Sequence, residues 1–326
     1  MSYIQEQSDV NEPLSPERKK FRITLTKEND YLTGHDWEEL IKTRIPYLRK
    51  FDYEYYEHRP FDDTCILFFK KINQFISPFW IKQQLFFQFT INMDQENVNG
   101  SIHPYRNIWI DIYKHPEIVT YFNQNTENSS IQLIKTIQLS INGNSSDEKN
   151  QLFIDKFKSI FSTIYFTRLN INCKNISIEQ FVEIIHLLPN LDSLKVSYLP
   201  TIQLDWLFDN DGETCFTTSI KNKITKVNLV KMIDIEQIHL LLYLYRRIQY
   251  FQIDLPVDMD PQMIVRFIII KSSIYTPYFN CLCLSILNFN EDTIEQLEKL
   301  IESEKLLFNY RIKCICDNVL LKWNRF

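Results

Sequence analysis

The chain has 326 residues, 36 basic and 41 acidic side chains, a net charge of −5, four glycines at positions 34, 100, 143 and 212, and no alanine. Glycines so far apart cannot form a GxGxxG dinucleotide fingerprint, a glycine-rich phosphate loop or a GxSxG nucleophile elbow, because each needs several within a few residues. The acidity also argues against a general nucleic-acid binder, which needs a basic surface to release counterions.

Seven cysteines, scattered and odd in number, fit a reducing compartment better than a disulfide framework. The N-terminus lacks the charged, apolar, small-residue order of a signal peptide. The densest apolar run, Met263 to Ile270, is short and holds Arg266, far from a membrane span. These readings place the chain in the cytoplasm or nucleus, with no membrane and no nucleic acid among its partners.

Residues 1 to 18 are polar and aperiodic, which predicts a disordered tail; residues 19 to 326 are expected to form one domain. Phe21, Ile23 and Leu25 alternate as a first strand, and Asp36 to Ile45 carries Trp37, Leu40 and Ile41 on one helical face. A helix is expected around Thr64 to Phe75, with strands near Leu85 to Ile91 and Asn107 to Tyr113.

A repeat then becomes visible. Leu169 and Leu194 occupy the fourth position of strands that begin at Phe166 and Leu191, with apolar residues at the first, fourth and sixth places. Between them Ser177 and Gln180 form a capping box. Phe181, Ile184, Ile185 and Leu188 make a helical stripe, which Pro189 ends. The same template fits Ile224-Val227-Leu229, Ile248-Phe251-Ile253 and Phe279-Leu282-Leu284, with helices from Asp234, Asp260 and Asn290 between and after them. Upstream it fits Ile134-Ile137-Leu139, and Tyr310-Ile312-Cys314 is expected to close the series. Ile45-Pro46-Tyr47-Leu48 and Leu188-Pro189-Asn190-Leu191 lead into strands alike.

Strand-plus-helix units of roughly 24 to 33 residues predict an α/β fold, an irregular leucine-rich-repeat-like solenoid with a curved parallel sheet and helices on the outer face. A doubly wound α/β sheet is the alternative. The ninth repeat position rarely holds the Asn or Cys of a regular repeat, so irregular turns are expected.

Candidate chemistry is sparse. Cys281-Cys283 and Cys314-Cys316 could supply four thiolates to zinc, but CxC within a strand is not a knuckle spacing, and buried cysteine is a common small hydrophobe. Because Arg311 and Lys313 should face out, Cys314 and Cys316 are expected to face the core. The histidines form no HxH or HxxxH pair. Asp62-Asp63 and Asp209 to Gly212 read as solvated loops rather than calcium sites. Phe51 to Tyr56 and Phe86 to Phe89 lack the basic surroundings of a stacking platform and read as strand residues. No catalytic, cofactor-binding or metal residue is assigned, and no cofactor is expected.

The alternate strand residues should line the concave face. Thr136, Gln138, Ser140, Arg168, Asn170, Asn172, Ser193, Lys195, Ser197, Lys226, Asn228, Tyr250, Gln252 and Asp254 make it polar and mixed, which suits a protein partner better than the mostly apolar concavity of a catalytic pocket.

Leu32 to Ile41 with Ile45 to Phe51, Ser77-Pro78-Phe79-Trp80 and the final Lys322-Trp323 resemble the leucine-rich-repeat-like C-terminal regions of invertebrate F-box proteins. The resemblance implies a non-enzymatic protein-binding module, like the substrate-recognition repeats of a ubiquitin-ligase subunit. Residues 1 to 19 show no three-helix F-box pattern, so a Skp1-type adaptor is an expected partner only if an F-box is supplied elsewhere. An α/β enzyme with an unrecognised site and a truncated, inactive repeat protein are the alternative readings.

Overall fold

The computed structural model describes residues 3–5, 20–25, 33–44, 50–57, 79–80, 85–95, 97–104, 137–144, 146–163, 166–199, 223–286, 291–315 and 318–324. The remainder of the expected tail, the anticipated helix at Thr64 to Phe75, the strand at Asn107 to Tyr113 and both acidic loops lie outside them.

Among the described residues a mixed sheet holds β1 (Tyr3–Gln5), β2 (Lys20–Leu25), β3 (Lys50–Glu57), β4 (Leu85–Asn92), β5 (Asn97–Pro104), β6 (Ile137–Gly143), β7 (Arg168–Cys173), β8 (Ser193–Val196), β9 (Lys226–Leu229), β10 (Tyr250–Leu255), β11 (Cys281–Ile286), β12 (Tyr310–Ile315) and β13 (Asn318–Trp323). Their spatial order is β1-β2-β3-β5-β4-β6-β7-β8-β9-β10-β11-β13-β12. From β6 to β11 every neighbour in the sheet is also the next strand in the chain, and every pairing is parallel. Parallel neighbours need a crossover; the one from β8 to β9 runs through residues outside those described, and helices supply the other four. These are α2 (Asp147–Thr163), α3 (Ile178–His186), α4 (Ile235–Leu244) and α5 (Pro261–Tyr275), while α1 (Gly34–Arg44) and α6 (Glu291–Ser303) flank the series.

Helices α3, α4 and α5 start where the sequence says they should, whereas α2 was not anticipated. The hydroxyl of Ser177 accepts from the Gln180 N–H at 3.3 Å, and the Gln180 side-chain oxygen accepts from the Ser177 N–H at 3.3 Å. Asp234 accepts from Gln237 N–H at 3.1 Å, and Asp260 from Gln262 N–H at 2.9 Å with Pro261 beside it. Each bond satisfies a donor that the first helical turn would otherwise leave open, worth about 1 kcal/mol.

The strand starts share a bonding device. The N–H groups of Asp192 and Ser193 both donate to the Thr167 carbonyl, those of Thr225 and Lys226 to Asp192, those of Gln249 and Tyr250 to Thr225, and those of Asn280 and Cys281 to Gln249. The register confirms Leu169, Leu194, Val227, Phe251 and Leu282 as equivalent positions. All five are fully buried. Their partners in the core come from the helices, including Phe181, Ile184, Leu241, Ile264, Ile268, Leu297 and Ile301, so the described helices pack on one face of the sheet in a continuous apolar cluster. Burying each such side chain contributes roughly 1.5 to 3 kcal/mol.

Three expectations need correction. In β6 the residue beside Leu169 is Leu139, not Ile137, so the upstream unit is shifted by two. Ile137, Leu139 and Ile141 are all aliphatic, and a period of two cannot distinguish registers that differ by two. Second, Tyr310–Ile315 does not continue the parallel series. Strand β13 pairs antiparallel with β11, Leu282 opposite Leu321, and β12 pairs antiparallel outside it. Third, Cys314 is exposed rather than in the core, because β12 is the sheet's last strand and has no helix-covered neighbour beyond it; Cys316 lies outside the described residues. Within the span expected as a tail, β1 pairs antiparallel with β2. Strand β5 was not anticipated, and its Gly100 sits opposite Phe89.

Candidate interaction face

Side chains alternate across a strand, so turning Leu169, Ile171, Leu194, Val196, Phe251 and Ile253 toward the helices turns their neighbours away. The parallel register lines these neighbours up. Gln138, Arg168, Ser193, Lys226, Tyr250 and Cys281 form one row across six strands; Ser140, Asn170, Lys195, Asn228, Gln252 and Cys283 form a second. Asn142 stands beside Asn172 at the far end of the strands, and Asp254 beside Ser285. Ser197 follows β8 directly, its N–H donating to the Ile171 carbonyl at 2.8 Å. Thr136 lies outside the described residues. The polar residues expected on one face are thus brought together in adjacent rows.

They are less open than a solvated sheet would make them. Arg168 is only 7% exposed, and Gln138, Ser193, Asn228 and Gln252 are also buried. Asn170, Lys195, Ser197, Tyr250 and Asp254 are half-buried, and Asn172 and Lys226 are exposed. Strands lie about 4.8 Å apart, so long side chains in these rows lean over short ones. Local bonds tie the face together: Gln138 Nε2 donates to Ser140 Oγ at 3.1 Å, and Tyr250 Oη to Gln252 Oε1 at 3.1 Å. The buried Oδ1 of Asn170 has no hydrogen-bond partner among the described residues.

Asp192, just before β8, was not singled out by spacing, yet it organises the start of the first row. Its carboxylate accepts from Thr225 Oγ1 at 2.7 Å and from Ser193 Oγ at 2.8 Å, and stands 3.5 Å from Lys226 Nζ. Burial alone would raise its pKa; Lys226 and the two hydroxyls together outweigh that and hold the carboxyl below its ordinary value.

At the β11 end the face becomes apolar. Cys281, Cys283 and Leu320 cluster with Tyr250, apart from the main core. Burial pushes the thiols of Cys281 and Cys283 up to about 12, so both are protonated and poor nucleophiles or ligands at neutral pH. With Cys314 exposed on β12, the two CxC segments do not present one buried thiolate set. Among the described residues no group of three or more His, Cys, Asp or Glu side chains could hold a metal ion, and no helix is long and apolar enough to cross a membrane.

The two helical histidines lie away from this face. Burial lowers the pKa of His186. His239 packs between α4 and α5, its Nε2 3.4 Å from Tyr275 Oη and its Nδ1 3.6 Å from a Glu236 carboxylate oxygen. Burial, then the nearby Lys271, lowers its pKa. A cavity of about 530 Å³ opens among Arg246, Arg247, Ile274, Tyr275, Pro277 and Tyr278, at the opposite end of α5 from its Asp260 cap. It shares no residue with the polar rows.

No protein-family model matches the chain, and neither a curated protein nor a solved structure matches it.

Proposed function

We propose that the chain is a non-enzymatic protein-interaction module, an irregular leucine-rich-repeat-like solenoid whose polar sheet face receives a protein partner. The observation that carries this reading is the pair of polar rows running over five strands, β6 to β10, on the face opposite the described helices. Such rows present a long series of donors and acceptors, suited to an extended protein surface rather than to a small enclosed substrate. Sequential strand order and the repeated carbonyl that receives two N–H groups support the solenoid, since each strand–helix unit meets the next in the same way.

The partner class follows from the F-box resemblance: a protein selected for ubiquitin transfer, with a Skp1-type adaptor as a further partner only if an F-box is supplied elsewhere. The exposed and half-buried side chains test the face without disturbing the core. Arg168 is too buried for charge reversal and Lys226 pairs with Asp192, so Lys195→Glu with Asn172→Arg is the informative variant. A partner that binds the native chain should lose at least about tenfold in affinity to this variant, measured by titration calorimetry, while the thermal unfolding midpoint stays within a few degrees. Unchanged affinity with an intact fold would remove the polar face as the binding surface.

A further inference from the structure

Helix α5 is apolar on more sides than the sheet needs. Its inner side buries Ile264, Val265, Ile268 and Ile269. Its outer side carries Met263, Phe267, Ile270 and Ile274, spaced four, three and four residues apart as in a helix-pairing seam. Phe267 is half-buried against the core, but Met263 and Ile270 are exposed and Ile274 is 64% exposed. The seam continues past the helix to Tyr278, 61% exposed, on the rim of the 530 Å³ cavity. A row of exposed apolar side chains on the outer side of a helix marks an interaction surface.

Charge identifies the cover. Along the flank toward α6 the polar groups are matched: Arg266 Nε meets Glu304 at 2.6 Å, and Gln262 meets Gln296 at 3.0 Å. Beside the middle of the seam the half-buried Lys271 holds its Nζ 5.7 Å from the centre of the Phe267 ring; the exposed charges left over stand at the two ends and are opposite in sign. Arg246 and Arg247, which make no ion pair among the described residues, line the cavity at the C-terminal end. At the other end Val257, 72% exposed, and the exposed Asp258 stand just before the helix.

A surface with an apolar middle, a basic end with a cavity and an acidic end with a protruding aliphatic side chain is complementary to itself when turned around. We propose that the occupant is a second copy of this chain, α5 packing antiparallel on α5 about a two-fold axis near Phe267 and Ile270. Each copy's Val257 enters the other's cavity and each Asp258 faces the other's Arg246 and Arg247. Two-fold pairing requires this: the same patch on both partners, each end meeting its opposite. A 15-residue helix is about 22 Å long, so the contact falls below the standard size of roughly 800 Å² per partner and gives a weak, concentration-dependent dimer.

Sedimentation velocity and light scattering of the full chain test the proposal. The mass should rise from 39.4 kDa toward twice that value as concentration goes from about 1 μM to about 1 mM. Ile274→Glu should hold it at the monomer mass, and R246E with R247E should weaken association at least about tenfold. Mixing that double variant with Asp258→Arg should restore a dimer of one copy of each, because both ends then pair opposite charges. All these positions are exposed, and unchanged unfolding midpoints confirm that each variant is folded. A chain that stays monomeric at the highest concentration overturns the proposal, even if an added amphipathic peptide binds the seam. So does an Ile274→Glu variant that associates like the native chain, or a charge-swapped mixture with no restored dimer.

Discussion

Gln237 shows how much one buried polar side chain does here. Its backbone N–H donates to the Asp234 cap, its side-chain oxygen accepts from Ile233 N–H at 2.8 Å, and its Nε2 donates to the Leu199 carbonyl at 2.8 Å. It closes the start of α4 and ties it to the segment after β8. His239, one helical step away, works in the other direction. Burial keeps its folded pKa below the ordinary value near 6.5, and His186 is shifted the same way. The unfolded chain therefore takes up protons before the folded one does. Stability is fully present above about pH 6.5 and falls as pH drops below it. In His239→Gln that loss should be smaller between about pH 6.5 and pH 5, read from urea midpoints at each pH; an unchanged slope would remove His239 as a contributor.

At the scale of elements the C-terminal hairpin decides where the sheet stops. Without β13, strand β11 would present an unpaired edge, a template for pairing with another chain. Strand β13 occupies that edge, and its Trp323, buried, meets Phe279 edge-on at 5.0 Å. Trp323→Ala should cost about 3 to 5 kcal/mol, read from denaturant unfolding. Deleting residues 318 to 326 should give light-scattering aggregates at concentrations where the native chain shows none.

The units between β7 and β11 were legible in the sequence because caps, Pro189 and the one-four-six spacing agree with one another. The ends were not. Nothing local in Tyr310 to Cys314 distinguishes a further parallel strand from the outer strand of a hairpin, since direction is decided by which edge is free. Strand β5, with Gly100 and Pro104, has poor strand propensity and is held by its neighbours β3 and β4. The polar rows were legible from alternation alone. The burial of Arg168 and Asn228 was not, because it depends on side chains from adjacent strands that sit 24 to 33 residues away in the chain.

For the whole molecule, the apolar cluster runs unbroken from Trp37 and Ile41 of α1 to Trp323 of β13, yet most strand neighbours are also neighbours in sequence. If the series is the proposed repeat, stability is passed from unit to unit rather than held at one centre. Native-state hydrogen exchange should then be graded. The amides of β7 to β10, flanked on both sides by parallel strands, should exchange most slowly, with protection decreasing toward β2 and β12. A uniform exchange free energy across the sheet would show a single cooperative core instead.

The carbonyls of Asp192, Thr225 and Gln249 each receive two N–H groups from the strand that follows, so the two surfaces of an internal unit match. What such a unit offers behind it is what it accepts in front. Copying residues 225 to 248 in tandem would therefore extend the sheet by one strand and one helix without creating a new kind of junction. An architecture of this kind would behave as a ruler whose length can be altered by whole divisions, with the hairpin kept last.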